Sequence, residues 1–410
     1  MNLSLSTNTP RRYLGAFLAV AALALLLPVL LQITGGDGPV RILGVALLYV
    51  MLALGLNIVV GYAGLLDLGY VAFYAVGAYL FALLASPHLT ENFPALAAHF
   101  PQGLHIPMWL ALPLAAIVAG VVGVLLGIPV LRLRGDYLAI VTLGFGEIIR
   151  VFLNNLDQPY NLTNGPKGIG QIDSASFFGY DLGASHRFFG FELHSVTLYC
   201  YSFIILTVLT VLLCYRLQDS RIGRAWMAMR EDEIAAKAMG ISTVRMKLLA
   251  FGMGATFGGV SGAMFAAFQG FVSPESFSLM ESVLIISMVV LGGLGHIPGV
   301  ILGALLLAGL PEILRYVAGP LQQMTGGRLD ASILRQLLIA LAMIITMLLR
   351  PRGLWPTPEH GQAGGAIAPN AAPDNPQHNP PGADFPGDAV PRALETGERS
   401  ADKVQDTVNP

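Results

Sequence analysis

This sequence has few charged residues. Only 12% of its 410 residues are Asp, Glu, Lys or Arg, whereas 54% are hydrophobic. A soluble domain carries about a quarter charged residues, so this chain has too few to cover a water-facing surface. Its apolar runs are repeatedly long enough to cross the roughly 30 Å hydrocarbon core of a bilayer. The composition excludes a soluble globular protein and indicates a chain that crosses the membrane several times.

Cysteine is nearly absent, and histidine is scattered. Cys200 and Cys214, the only two cysteines, fall in one apolar run. On a single helix their Cα atoms lie about 21 Å apart, which is too far for a disulfide. The eight histidines contain no pair at metal-ligand spacing. We therefore predict no metal site and interpret both cysteines as small apolar residues.

Motifs that would supply energy are also missing. No Gly-x-x-x-x-Gly-Lys-[Ser/Thr] loop is present to cradle ATP, and no pair of in-membrane carboxylates or chain of histidines indicates ion coupling. We predict that this chain has no cofactor and no catalytic residue, and that it takes energy from a partner. Two alternatives are an ion-coupled carrier, which would transport without an ATPase, and an intramembrane enzyme, which would need clustered catalytic groups.

The apolar segments predict an all-α membrane helix bundle of about ten transmembrane helices, with both termini in the cytoplasm. The predicted spans are residues 13–33, 41–60, 65–85, 107–130, 137–154, 196–215, 246–269, 282–295, 298–317 and 333–349. The run from 13 is too long for a cleaved signal, and the part at 282–317 could include a re-entrant segment. The predicted outer connections at 86–106 and 270–281 contain no Lys or Arg, which fits the positive-inside rule.

Three regions follow from this topology. Residues 1–12 are predicted to form a cytoplasmic segment, and 13–355 the transmembrane domain. Residues 356–410 hold ten prolines and are predicted to be a disordered cytoplasmic tail. The predicted periplasmic loop at 155–195 combines Gly and Pro turns with aromatic residues. It suits contact with a soluble external protein, or it is a solvated loop with an interfacial anchor.

Two sets of glycines recur every four residues, which places each set on one helix face. The sets are Gly254, Gly258 and Gly262, and Gly295, Gly299 and Gly303. Small residues at this spacing let helix backbones approach closely in lipid. We predict tight helix packing, on faces that could also rock during transport.

Acidic residues inside apolar segments are costly and are therefore candidates for function. Glu147 precedes Arg150 by three residues, so it could form an ion pair or line a pathway. Asp67 stands near the start of the third predicted span, where we expect a capping or hydrogen-bonding role.

The connection at 216–247 holds seven of the 23 Lys and Arg residues. Acidic residues come early and Lys237 later, an order that favours a short helix over 231–240. We predict a Glu233–Lys237 pair, a helix end at Gly240 and an apolar face of Ala235, Ala236 and Met239. Such a helix could dock in a partner's groove, or it could rest on lipid headgroups.

These stretches resemble the LivM-type membrane permeases of bacterial branched-chain amino-acid ABC transporters. The resemblance rests on residues 61–79, 131–150, 223–240, 270–282, 289–295 and 350–354, which include GYAGLLDLGYVAFYAVGAY and GRAWMAMREDEIAAKAMG. It covers nearly all of residues 13–355. Asp67 and His296 depart from the pattern, since apolar or Ser residues are expected there.

The resemblance implies a subunit in the bacterial inner membrane that imports Leu, Ile and Val; related members move urea, short amides or other amino acids. It implies a related second permease, two cytoplasmic ATPases that bind ATP and Mg, and a periplasmic substrate-binding protein. The ATPase-coupling residues that the resemblance implies are Glu231, Glu233, Ala235, Ala236 and Gly240. We add Arg221 and Arg224 of the charged connection to them. The residues implied near the pathway are Thr142, Glu147, Ser273, Glu275 and Glu281.

Overall fold

The computed structural model describes residues 26–100, 103–130, 133, 135–177, 180–188 and 191–324, with isolated positions between 337 and 355. The predicted segment 1–12, most of the first and last predicted spans and the tail at 356–410 lie outside the described residues. The helices of the amino-terminal half are α1 (Leu26–Gly35), α2 (Asp37–Asn57), α3 (Val71–Leu84), α4 (His88–Asn92), α5 (Pro94–Ala97), α6 (Met108–Val130) and α7 (Asp136–Asn155). Those of the carboxyl-terminal half are α8 (Ser195–Gln218), α9 (Arg221–Glu231), α10 (Glu233–Ala238), α11 (Thr243–Gln269), α12 (Leu279–Gly292) and α13 (Ile297–Met324).

Four helices within the described residues are long and apolar enough to cross a membrane. They are α2 together with its π-helical end at Ile58–Tyr62, α6, α8 and α11. The 27 residues of α11 extend about 40 Å at 1.5 Å per residue, more than the hydrocarbon thickness. The helices α1, α3 and α12 are apolar but shorter. Each of the second to ninth predicted spans coincides with a helix, while the ten-span topology and the placement of the termini stay predictions.

The third predicted span begins later than expected. Residues 63–70 are not helical, and α3 starts only at Val71. The stretch is nevertheless buried at Leu65, Asp67 and Tyr70. A break of this kind needs groups from elsewhere in the chain to satisfy its backbone.

The structure is mostly helical, as predicted, and the loop at 155–195 also contains two short β-hairpins. Strand β1 (Ser176–Phe177) pairs with β2 (Tyr180–Asp181), and β3 (His186–Phe188) pairs with β4 (Phe191–Leu193), both antiparallel. An isolated bridge joins Ile169 to Val272. The two connections predicted to be on the same side of the membrane are therefore in contact.

Helix α11 packs against α6, α3 and α2. Its glycines make these approaches possible. A methyl group on Gly254 would overlap Val59 of the α2 end, one on Gly258 would lie 3.0 Å from Cβ of Phe73, and one on Gly262 would overlap the carbonyl of Tyr74.

The second glycine set differs from its prediction at one position. Methyl groups on Gly299 and Gly303 of α13 would overlap the backbone of α12, so these two residues share a packed face. Gly295 lies in the turn before α13 with φ 81°, a left-handed conformation that favours glycine. It is therefore a turn residue rather than part of a helix face.

Candidate functional site

The charged connection, residues 216–247, contains α10 within the helix predicted over 231–240, and α9 as a further helix that was not predicted. Ser220 caps α9 by accepting a hydrogen bond from the backbone N–H of Gly223 at 3.1 Å. Asp232 has extended backbone and caps α10, accepting from the N–H groups of Ile234 at 2.7 Å and Ala235 at 3.0 Å. The predicted short helix is present as α10, but it begins at Glu233 because the Asp232 side chain serves as its N-cap.

Three contacts attach this connection to the membrane helices. Trp226 is fully buried, and its Nε1 donates to the backbone carbonyl of Met246 at 2.8 Å. Arg230 donates from Nη1 to the carbonyl of Gly61 at 2.5 Å. These bonds link α9 to α11 and to the end of α2.

The third contact replaces the predicted Glu233–Lys237 pair. Glu233 Oε1 lies 2.8 Å from Nζ of Lys247, at the start of α11. The Lys247 side chain is only 7% exposed, and a buried ammonium requires a nearby carboxylate. Lys237 is exposed and has no comparable need.

The remaining predicted coupling residues divide between two surfaces. Ala236 lies on the buried side of α10. The exposed members are Arg221, Arg224, Glu231, Ala235 and Gly240. Two large apolar side chains protrude with them, Ile234 at 72% and Met239 at 83% exposure. We call these seven exposed residues the outer face of the connection. Its mixture of apolar and charged groups suits contact with a protein.

A compact junction lies beneath α9. The Asn57 side chain accepts a hydrogen bond from the N–H of Gly295 at 2.9 Å. A methyl group on Gly61 would overlap this Asn57 side chain and lie 2.7 Å from that N–H. Together with Arg230, these residues join α2, α9 and the turn before α13. Sequence reasoning assigned no role to Asn57 or Arg230, although Gly61 opens one of the family-like stretches.

The non-helical stretch at 63–70 is held by side chains from other helices. Thr142 of α7 accepts from the N–H of Leu68 at 3.0 Å, and Ser282 of α12 donates to the Leu68 carbonyl at 2.5 Å. Irregular backbone at membrane depth is tolerated where such partners replace helical bonds. Thr142 is thus a support of the break, and Ser282 is a second support that sequence reasoning missed.

Asp67, which lies in this non-helical stretch, also bonds its backbone. It is 2% exposed, and its Oδ1 accepts from the N–H of Gly69 at 2.9 Å, which confirms the predicted hydrogen-bonding role. Oδ2 is buried and has no hydrogen-bond partner among the described residues. Asp67 borders a cavity of about 10 Å³ that Phe73 and Phe145 also line, about the size of one water molecule.

The pathway candidates do not gather in one place. Glu147 and Arg150 form the predicted ion pair, with Oε2 and Nε 2.9 Å apart, and Arg150 Nη1 lies 3.9 Å from Oε1 of Glu275. Glu281 instead accepts a hydrogen bond from the hydroxyl of Tyr49 at 2.9 Å. The structure therefore brings Glu147 and Glu275 to the same arginine, whereas Glu281 bonds Tyr49 and Thr142 bonds the backbone of Leu68. Ser273 lies next to Glu275's helical turn, with its Oγ 3.4 Å from that of Ser276.

Comparison with known proteins places this sequence in a family. The sequence model of the family described as branched-chain amino acid transport system / permease component matches residues 38–348. The chain is 43% identical over 332 residues to the high-affinity branched-chain amino acid transport system permease protein LivM of Salmonella typhimurium, covering 78% of this chain and 70% of that protein. LivM of Escherichia coli K12 matches with the same identity and coverage.

A second type of permease is also similar. The high-affinity branched-chain amino acid transport system permease protein LivH of Salmonella typhimurium is 26% identical over 271 residues, which is 65% of this chain and 81% of that protein. No solved structure matches the chain significantly.

Proposed function

The chain belongs to the family of branched-chain amino acid transport system permease components, and from that premise we propose that it is the membrane permease subunit of a binding-protein-dependent ABC importer. Its substrates are Leu, Ile and Val, and its location is the bacterial inner membrane. The chain supplies a path and a mechanical link, while ATP and Mg are bound by partner subunits.

One observation carries this proposal. The charged connection is fastened inward by Trp226, Arg230 and the Glu233–Lys247 pair, while Ile234 and Met239 protrude outward. A solvated linker needs no buried tryptophan or buried ion pair. A segment that transmits force needs both firm attachment on one side and a free face on the other.

The partners follow from the same arrangement. Two cytoplasmic ATPases act on the connections of paired permeases, one of them on the outer face of this chain. Similarity to proteins named LivM and LivH supports a related second permease beside this one. A periplasmic substrate-binding protein delivers the amino acid at the loop of residues 155–195.

The mechanism we infer is alternating access. Closure of the ATPases moves the outer face, and the displacement passes through Arg230 to Gly61 and through Glu233 to Lys247. The end of α2 and the start of α11 then shift relative to their neighbours. Rigid-body rocking of closely packed helices is a common form of such transitions.

The proposal is tested by uptake of labelled Leu and labelled urea into vesicles that contain this chain, the second permease and the ATPases, with ATP inside and the binding protein outside. We expect ATP-dependent uptake of Leu that is lost without the binding protein. Uptake of urea in place of Leu contradicts the substrate assignment. Gradient-driven uptake by this chain alone contradicts the importer assignment.

A further inference from the structure

A buried carboxyl oxygen and a small cavity occur together at the non-helical stretch of residues 63–70. The Asp67 side chain bonds the N–H of Gly69 through Oδ1, whereas its Oδ2 has no hydrogen-bond partner among the described residues. A buried polar atom without a partner is costly. A proton on Oδ2 would not remove this cost, because the resulting hydroxyl would lack an acceptor. The cavity of about 10 Å³ that Asp67 borders is the space from which a partner can reach this oxygen.

The lining of this cavity restricts what it can bind. Only two of the residues around it carry polar side chains, Asp67 and Thr142 of α7. The rest of the lining is apolar and includes Phe73, Phe145 and Phe251. An occupant must therefore bond two side chains and otherwise touch apolar groups.

Thr142 has one hydrogen-bonding position left. Its Oγ accepts a hydrogen bond from the N–H of Leu68 at 3.0 Å and donates one to the carbonyl of Ala139 at 3.1 Å. A hydroxyl has one proton and two lone pairs, so one lone pair of Thr142 is not used by these bonds. Asp67 Oδ2 and Thr142 Oγ are thus both acceptors, and the occupant has to supply two protons.

Size and chemistry together select the occupant. A cavity of about 10 Å³ holds about one water molecule, which excludes an amino acid or a lipid headgroup. Hard metal cations take about six oxygen ligands, whereas only two side chains with oxygen line this cavity. A water molecule has two protons for the two acceptors, and buried waters make about two to four hydrogen bonds.

We propose that the cavity binds one water molecule, which donates one proton to Asp67 Oδ2 and the other to Thr142 Oγ. The water joins the stretch at 63–70 to α7, beside the direct bond between Leu68 and Thr142. The two backbones approach closely here, since a methyl group on Gly69 would overlap the carbonyl of Thr142. Asp67 thus bonds the backbone of its own stretch directly and α7 through water.

The direct test is an experimental structure of the complete complex, with the second permease and the ATPases, at a resolution that shows ordered water. We expect one density peak about 2.8 Å from both Asp67 Oδ2 and Thr142 Oγ. A cavity without density overturns the proposal. A peak surrounded by about six oxygen atoms indicates a metal cation instead and also overturns it.

Val130→Ile tests whether the cavity is wet or dry. Val130 is buried and lines the cavity, so the variant adds a methyl group there. Displacing an ordered water by a group that cannot replace its hydrogen bonds is unfavourable. We therefore expect the peak to disappear and the melting temperature to fall by about 2 °C or more.

Filling a dry cavity stabilises a protein, so a higher melting temperature of Val130→Ile overturns the proposal, as does a peak that persists. Val121→Ile is the matched control. It adds the same methyl group to the same helix at a position that is 54% exposed, and it should change neither the melting temperature nor the peak.

Thr142→Val and Thr142→Ser test the second acceptor, and they decide the matter if Val130→Ile does not assemble. Thr142→Val removes the hydroxyl and should lose the peak, whereas Thr142→Ser keeps the hydroxyl and should retain it. A peak that stays in Thr142→Val shows that Thr142 does not bind the water. Loss of the peak in both variants shows that the hydroxyl is not what holds it. Either result overturns the proposal.

Discussion

Replacing Glu233 by Gln is expected to destabilise the protein more than replacing Lys247 by Met, although both changes remove the same ion pair. The Lys247 side chain is 7% exposed and that of Glu233 is 27% exposed. Glu233→Gln therefore leaves a buried ammonium without its carboxylate. Breaking a fully buried pair costs about 3–5 kcal/mol, and partial exposure of Glu233 lowers our expectation to about 2 kcal/mol. Lys247→Met leaves a carboxylate that can reach water, for which we expect about 1 kcal/mol.

The double variant of Glu233→Gln and Lys247→Met should regain most of this loss, because apolar or neutral replacements of a buried pair are often tolerated. Thermal unfolding of the purified subunit measures the order, and leucine moved per ATP hydrolysed reports the coupling. Glu192→Gln, which breaks an exposed pair with Arg187, is the control and should change neither quantity. Equal losses in both single variants, or a double variant as unstable as Glu233→Gln, would refute the reasoning.

Three further outcomes are expected. Gly262→Ala overlaps the α3 backbone and should cost about 1–3 kcal/mol of stability, whereas Gly144→Ala meets open space and should be tolerated; equal expression and melting of the two would contradict the packing. Thr142→Val removes the acceptor of the Leu68 N–H, which lies in a half-buried part of the chain. This should cost about 1 kcal/mol and lower uptake, while Thr142→Ser keeps the bond; full uptake by the Val variant would contradict the role of Thr142. Burial lowers the pKa of His88 below its usual 6.5, so the stability of the protein should fall as the pH drops below about 6.5. His88→Gln should flatten the dependence of the melting temperature on pH. An unchanged slope would show that His88 does not cause this dependence.

Hydropathy and charge were sufficient to predict most of the helices and the charged connection. The helices α6, α8 and α11 match their predicted spans because each is a long apolar run that has no competing structure in a bilayer. The break at 63–70 was not predictable in the same way. Its sequence is as apolar as a span, and the break exists because Thr142 and Ser282, distant in sequence, satisfy the backbone of Leu68.

Local rules failed where tertiary contacts decide the outcome. The i, i+4 rule favoured Lys237 as the partner of Glu233, but Lys247 is buried beside α10 and needs the carboxylate more. Regular spacing placed Gly295 on a helix face, but the bond from its N–H to Asn57 holds it in a turn. The hairpins at 176–193 are too short to leave a period-two pattern that sequence could show.

The exposure and position of Met239 provide the most direct test of the account. A Met239→Cys variant, in a chain whose buried Cys200 and Cys214 are replaced by Ala, would be treated with a membrane-impermeant maleimide in vesicles of both orientations. The account predicts labelling only in inside-out vesicles, and protection of that cysteine when the ATPase subunits are bound. Labelling in sealed right-side-out vesicles, or full labelling in the presence of bound ATPase subunits, would contradict it.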